Sequence, residues 1–336
     1  MSRLDTKPQI GKLASDLGLK RSSKPVSEIV HYVRRKIRSI AKNYKCRSLN
    51  ALLNAAAGDA GTVFREIHSD HDLDNVIEEF VSKGEAIFAN LRNELREQDY
   101  AITIKRQHAA SWEPPFVSVI DCRGDKVFRA YFSKWHELAH LFTLTPQMRL
   151  MFRRTHGAAL QDPEEALMDV IAGELGFLSD LLKLDGREEI SFETIERIRS
   201  EFCREASFQA SLIGIVKALP QACILLDARL GHKKGEQPDS QQKTSRNRPG
   251  AAPSLRAVHV TVNQAGRDVG ICMYANWRVP YKSVIRQVFE RQEYAEAVEN
   301  LDWWTTSDGS QLATCSVLVK AKASPGSVIA LLIPED

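Results

Sequence analysis

A chain of 336 residues with 43% apolar and 26% charged side chains has the composition of a soluble globular protein, long enough for two or three small cores. No apolar run approaches the roughly 18 residues of a bilayer-spanning helix and no signal-peptide core opens the chain, so a cytoplasmic protein is expected. The net charge of +3 hides an asymmetry: residues 1–50 carry 13 Lys/Arg against 3 Asp/Glu, a balance of +10 that leaves −7 for the remainder. Six cysteines (Cys46, Cys122, Cys203, Cys223, Cys272, Cys315) lie far apart with no Cys-x-x-Cys pair, and read as reduced, mostly buried thiols.

Residues 1–25 are polar and are expected to be loosely ordered. A helix over about 26–45 follows, carrying the basic cluster from His31 to Arg38. Its Arg34, Arg35, Lys36 and Arg38 can neutralise phosphates of a nucleic acid, or form a solvated face that docks on the acidic remainder. Apolar residues at Leu73, Val76, Ile77, Phe80, Ile87, Phe88 and Leu91 predict a second helix over 72–96. Strands are expected at 101–105 and 116–121, with a third from about 127. Cys122 ends the second of these. It is a candidate inhibitory fourth zinc ligand in the manner of a cysteine switch, the alternative being an inert strand cysteine.

The third strand feeds the segment from Phe132 to Phe142, which contains His136-Glu137-Leu138-Ala139-His140. His-Glu-x-x-His on a helix is the zinc-site signature of metallopeptidases. Residues four apart share a face, so two imidazoles reach one ion, and Glu137 stands where a carboxylate can take a proton from zinc-bound water. A hydrogen-bond donor for the resulting oxyanion would come from His156, Tyr131, Arg153 or Arg154. Downstream, Asp162-Pro163 reads as a helix start, an N-cap acceptor followed by a proline at the first helical position. Glu165 and Asp169 then fall on one face. In His-Glu-x-x-His enzymes with a glutamate ligand, a second helix supplies Glu-x-x-x-Asp. There the Glu binds zinc and the Asp holds a zinc-bound histidine in its tautomer. Glu165 and Asp169 are assigned these roles, and Glu164 is the substitute ligand if the register slips by one.

At this point the chain resembles the ImmA/IrrE family of zinc peptidases, which cleave helix-turn-helix repressors. The resemblance lies in the approach from Val117 to Asp121 and from Phe128 to Phe132, in His-Glu-x-x-His, and in Glu165, Asp169, Ala172, Glu174 and Leu175 of the second motif. The departures are Leu167, Ile171 and Ala139, and none removes a metal ligand. It implies a zinc endopeptidase with a helix-turn-helix repressor as substrate, derepressing a stress, DNA-damage or phage-defence operon. It also implies a helix-turn-helix-like module over 189–231.

From 232 to 254 the chain is rich in Lys, Gln, Ser, Gly and Pro, and reads as a flexible linker. Beyond it, strands are expected at 257–262, 269–274, 313–319 and 328–332, with a helix from about 281 to 296. That order suits a GAF- or PAS-like sensor domain. The expected architecture is thus α+β: a basic helical region over 1–70, a zinc-peptidase core with a small mixed sheet over 71–188, the helical module, the linker, and the sensor-like domain over 255–336. The basic N-terminus and the sensor-like domain suggest gating, with single-stranded DNA as the signal. The competing reading is a nucleic-acid-binding regulator in which zinc is structural and nothing is cleaved.

Overall fold

The computed structural model describes residues 4–144, 152–156, 162–182, 184–232, 252–305, 312 and 314–335. It is an α+β protein that divides into two compact units, residues 1–183 with 196–214 and residues 184–195 with 215–336.

The first unit opens with α1 (Pro8–Asp16), α2 (Pro25–Asn43) and α3 (Leu49–Ala60). Helix α1 occupies a stretch expected to be loosely ordered, because Ile10, Leu13 and Ala14 recur at helical spacing and are buried. Next come β1 (Thr62–Ile67) and α4 (Asp70–Ser82), the helix entered through a capping box between Ser69 and Asp72. The helix expected to reach residue 96 breaks at Gly84, whose φ is 83°. A 3-10 turn (Ala86–Asn90) and the short α5 (Leu91–Glu94) complete the tract.

Strands β2 (Asp99–Lys105) and β3 (Phe116–Asp121) match the expected pair. The third expected strand is instead a 3-10 turn (Gly124–Arg129) leading into α6 (Ala130–Phe142). After β4 (Phe152–His156) come α7 (Pro163–Leu175) and α8 (Ser179–Leu182). The sheet runs β1-β3-β2-β4, with β1 parallel to β3 and the other pairs antiparallel, so it is mixed as expected.

Strand alternation gives this sheet two different faces. Ile102, Ile104, Val117 and Val119 point to one side and pack with Leu73, Val76 and Phe80 of α4. Ala101, Ile120 and Cys122 point to the other and pack with Ala130 at the start of α6. Helices α3 and α7 also adjoin α6, and α2 adjoins α7. Residues 1–70 are therefore not a separate region: β1 is a strand of the core sheet, and the N-terminal helices pack around the helices that follow it.

The division between the units falls within α9 (Phe192–Phe202) and α10 (Phe208–Ala218). The second unit continues through β5 (Ile224–Gly231), β6 (Ser254–Val262), α11 (Gln264–Asp268), α12 (Val284–Arg291), β7 (Ala295–Asn300), β8 (Ser316–Ser324) and β9 (Ser327–Pro334). Its antiparallel sheet runs β6-β5-β9-β8-β7. Two boundaries drawn from composition change here. Strand β5 belongs to this sheet and not to the helical module. The expected linker, whose residues 233–251 lie outside the described residues, joins two strands that are directly paired, Gly231 standing opposite Ser254. The strand expected at 269–274 is absent: Gly270 has φ 81° and Ile271 N–H bonds back to the Gly266 carbonyl.

Within the first unit, Gly214 of α10 lies against Phe177, and a Cβ there would run into the aromatic ring. Gly214→Ala is expected to destabilise this unit by about 1–3 kcal/mol through overpacking, read as a lowered thermal midpoint.

Candidate metal centre

Helix α6 lies between the sheet and α7, and each of these layers meets a different stripe of its side chains. His136, Glu137 and His140 are 1%, 0% and 4% exposed. One turn apart, the two histidines face α7, where Asp162 caps the helix start by accepting the Glu164 N–H. That leaves Glu165 for the histidines. Its Oε2 lies 3.1 Å from His136 Nε2, its Oε1 lies 3.3 Å from His140 Nε2, and the two Nε2 atoms are 3.1 Å apart.

Those separations fit a metal ion. Ligand bonds of about 2.0–2.1 Å in a tetrahedral set place neighbouring donors about 3.3 Å apart. The two imidazoles and the carboxylate therefore converge as a set that can hold one cation. Asp169 lies 2.9 Å from His136 Nδ1 and accepts its proton, which leaves the Nε2 lone pair directed at the other donors.

The electrostatics agree. Burial lowers the His136 pKa, but its bonds to Asp169 and Glu165 outweigh it and push the pKa up to about 9. Burial would raise the pKa of Glu165, yet the two histidines hold its carboxyl well below the usual carboxylate range. A group of anions that favours a proton on His136 also favours a cation, so proton and metal compete for this place.

Glu137, a third of a turn round, points at the sheet. Its Oε2 accepts a hydrogen bond from the Thr103 hydroxyl. Thr103 Oγ1 lies 2.7 Å from Ser118 Oγ, which lies 2.9 Å from Thr62 Oγ1. Each hydroxyl has one proton to give. Thr103 gives its own to Glu137, so Ser118 donates to Thr103 and Thr62 to Ser118. This buried file ends on the carboxylate and fixes its orientation. The sequence reading missed all three hydroxyls. The available signal was Thr103 and Ser118, each a polar residue inside an apolar strand, but their meeting depends on the pairing of β2 with β3.

Other expected site residues lie elsewhere. The Tyr131 hydroxyl donates to the Gly176 carbonyl at 2.7 Å, and its ring stands edge-on to Trp135 and Phe177. It is a packing residue and not an oxyanion donor. Cys122 does not join the histidines. Its sulfur sits with Glu66 and His68 at the ends of β1 and β3. Arg153, Arg154 and His156 lie on β4, whose side chains are outside the described residues.

In the basic cluster, Arg38 makes a two-pronged bond to Asp180 at 2.6 and 3.0 Å, and Arg34 pairs with Glu174 at 3.8 Å. Lys36 lies over the Phe142 ring at 4.8 Å, and Arg35 is exposed. Arg34 and Arg38 thus pair with acidic residues of α7 and α8, the second of the two arrangements expected for this face. Among the described residues, no helix is long and apolar enough to cross a membrane.

No protein-family model matches the chain, and no curated protein matches it. Two consequences of the geometry can be measured. His140→Ala should lose one equivalent of bound metal. Asp169→Ala should weaken zinc affinity by about 10–100-fold in a chelator competition; unchanged affinity would remove Asp169 from the site.

Proposed function

We propose that the chain is a zinc-dependent endopeptidase of the ImmA/IrrE type. The observation that carries the reading is the convergence of His136, His140 and Glu165 with Glu137 buried on the adjoining face of the same helix. A zinc ion held by His136, His140 and Glu165 would supply Lewis acidity and make water easier to deprotonate near neutral pH. Glu137 takes the proton from the attacking water and returns it to the leaving amine. Thr103 keeps the carboxylate aimed while it does so, and Asp169 keeps His136 in the tautomer that offers Nε2 to the metal.

The substrate class rests on the resemblance: a helix-turn-helix repressor, whose cleavage derepresses a stress, DNA-damage or phage-defence operon. Helices α9 and α10 are consistent with the helix-turn-helix-like module of that family. The second unit, an antiparallel sheet ordered β6-β5-β9-β8-β7 with α11 and α12 between its second and third strands, supports a GAF- or PAS-like sensor. Gating by a signal is assigned to that unit. In the basic cluster of α2, Arg34 and Arg38 are paired with acidic residues, and Arg35 and Lys36 are the exposed cations left for a nucleic acid.

A structural zinc site has no use for a carboxylate beside the metal, which favours catalysis over the purely DNA-binding reading. Incubation with a helix-turn-helix repressor provides the test. Glu137→Gln should retain its metal while cleavage falls by about 10²–10⁴-fold. Equal cleavage by wild type and variant would refute the proteolytic reading.

A further inference from the structure

The first unit contains a second convergence of metal-binding side chains. Strands β1 and β3 run parallel and end together, Ile67 opposite Asp121, and the Cys122 N–H bonds to the Ile67 carbonyl at 2.8 Å. Glu66 and Cys122 both lie on the α6 side of the sheet, and His68 follows Glu66 by two residues. The His68 Nε2 atom lies 3.3 Å from Glu66 Oε2, and Cys122 Sγ lies 3.9 Å from the same oxygen. All three donor atoms lie within 4.8 Å of one another. With metal–nitrogen and metal–oxygen bonds of about 2.0–2.1 Å and a metal–sulfur bond of about 2.3 Å, tetrahedral donors stand about 3.3–3.6 Å apart. The nitrogen–oxygen pair is already at that spacing, the sulfur is a few tenths of an ångström beyond it from the Glu66 oxygen, and the sulfur and the His68 nitrogen lie within 4.8 Å.

We propose that Glu66, His68 and Cys122 form a second metal site, selective for a soft or borderline divalent cation such as Zn²⁺, with its fourth position open to solvent. Thiolate and imidazole exclude Mg²⁺ and Ca²⁺, which take oxygen donors. The surrounding structure holds the site in place. The His68 and Ser69 N–H groups both bond to Asp72 Oδ2 at 2.9 Å, which fixes the chain after β1. Arg123 bonds to Asp121 at 2.9 Å and to Asp70 at 2.6 Å, which fixes the chain after β3.

Charge balances as well. Lys134 takes the other carboxylate oxygen, Glu66 Oε1, at 2.7 Å and is matched in turn by Glu205 at 3.0 Å. Glu66 and a Cys122 thiolate then supply the two negative charges that a divalent ion requires.

This site is independent of the peptidase reading, and its sulfur gives it a signature the first site lacks. The test titrates Co²⁺ into the full-length protein, stripped of metal and kept reduced. A near-ultraviolet thiolate-to-cobalt charge-transfer band should appear and saturate at one equivalent of sulfur-bound metal. His136→Ala should keep the band, and Cys122→Ser should abolish it. His68→Ala and Glu66→Gln, both at exposed positions, should weaken binding at least about tenfold. Circular dichroism establishes that each variant is folded. If Cys122→Ser does not fold, the two exposed variants decide the question. The proposal is overturned if the folded wild type shows no band, if the band survives in Cys122→Ser, or if His68→Ala and Glu66→Gln both leave it unchanged.

Discussion

Helix α6 is buried along its length, yet it carries Lys134, His136, Glu137 and His140, at 8%, 1%, 0% and 4% exposure. Removing an uncompensated charge from water costs several kcal/mol, so each of these side chains must find a partner in the layer it faces. The sheet side answers two of them, Glu66 meeting Lys134 and Thr103 meeting Glu137. Helix α7 answers the other two through Glu165 and Asp169. The order of the layers, sheet then α6 then α7, is thereby tied to the order of the chemistry. A carboxylate is oriented from behind, and donors that can hold a metal converge in front.

What the sequence made legible follows from which patterns are local. His-Glu-x-x-His and Glu-x-x-x-Asp each sit within one helical turn, so the residues that converge and the second helix that brings them together could be read directly. Alternation gave β2, β3, β6, β8 and β9, β3 at its expected ends and the others with shifted ones. Strand β7, Ala-Glu-Ala-Val-Glu-Asn, was hidden because Ala and Glu favour helices; its pairing with β8 overrides that preference. Gln292, with φ 61°, stops α12 before this segment, where the apolar spacing alone had run the helix on to residue 296. The partners of Cys122 and Tyr131 depend on tertiary packing that no spacing encodes.

The domain boundaries failed for a related reason. A run poor in apolar residues reports that it contributes nothing to a core, not where in the topology it lies. The segment after Gly231 has the composition of a linker but connects adjacent paired strands, so it interrupts one sheet instead of separating two domains. Likewise Ile224 to Leu226 is a short apolar run beside two helices. Only its pairing with β6 and β9 marks it as a central strand.

The basic N-terminal region was set apart on charge, and this is the division that matters most for the site. The α6-facing stripe of β1 is Thr62, Phe64 and Glu66, and that of β3 is Phe116, Ser118 and Ile120, continued by Cys122 just past its end, with Phe64 and Ile120 as the apolar centre of the patch. The apolar centre carries the packing. At one end the hydroxyls Thr62 and Ser118 lead through Thr103 to Glu137. At the other, Glu66 takes the charge of Lys134, one turn back along α6. A sheet lacking β1 would leave Ser118 without the donor that orients it, and Lys134 with only Glu205. The residues before α4 therefore complete the environment of the Glu137 carboxylate, although nothing in their charge or composition announces it.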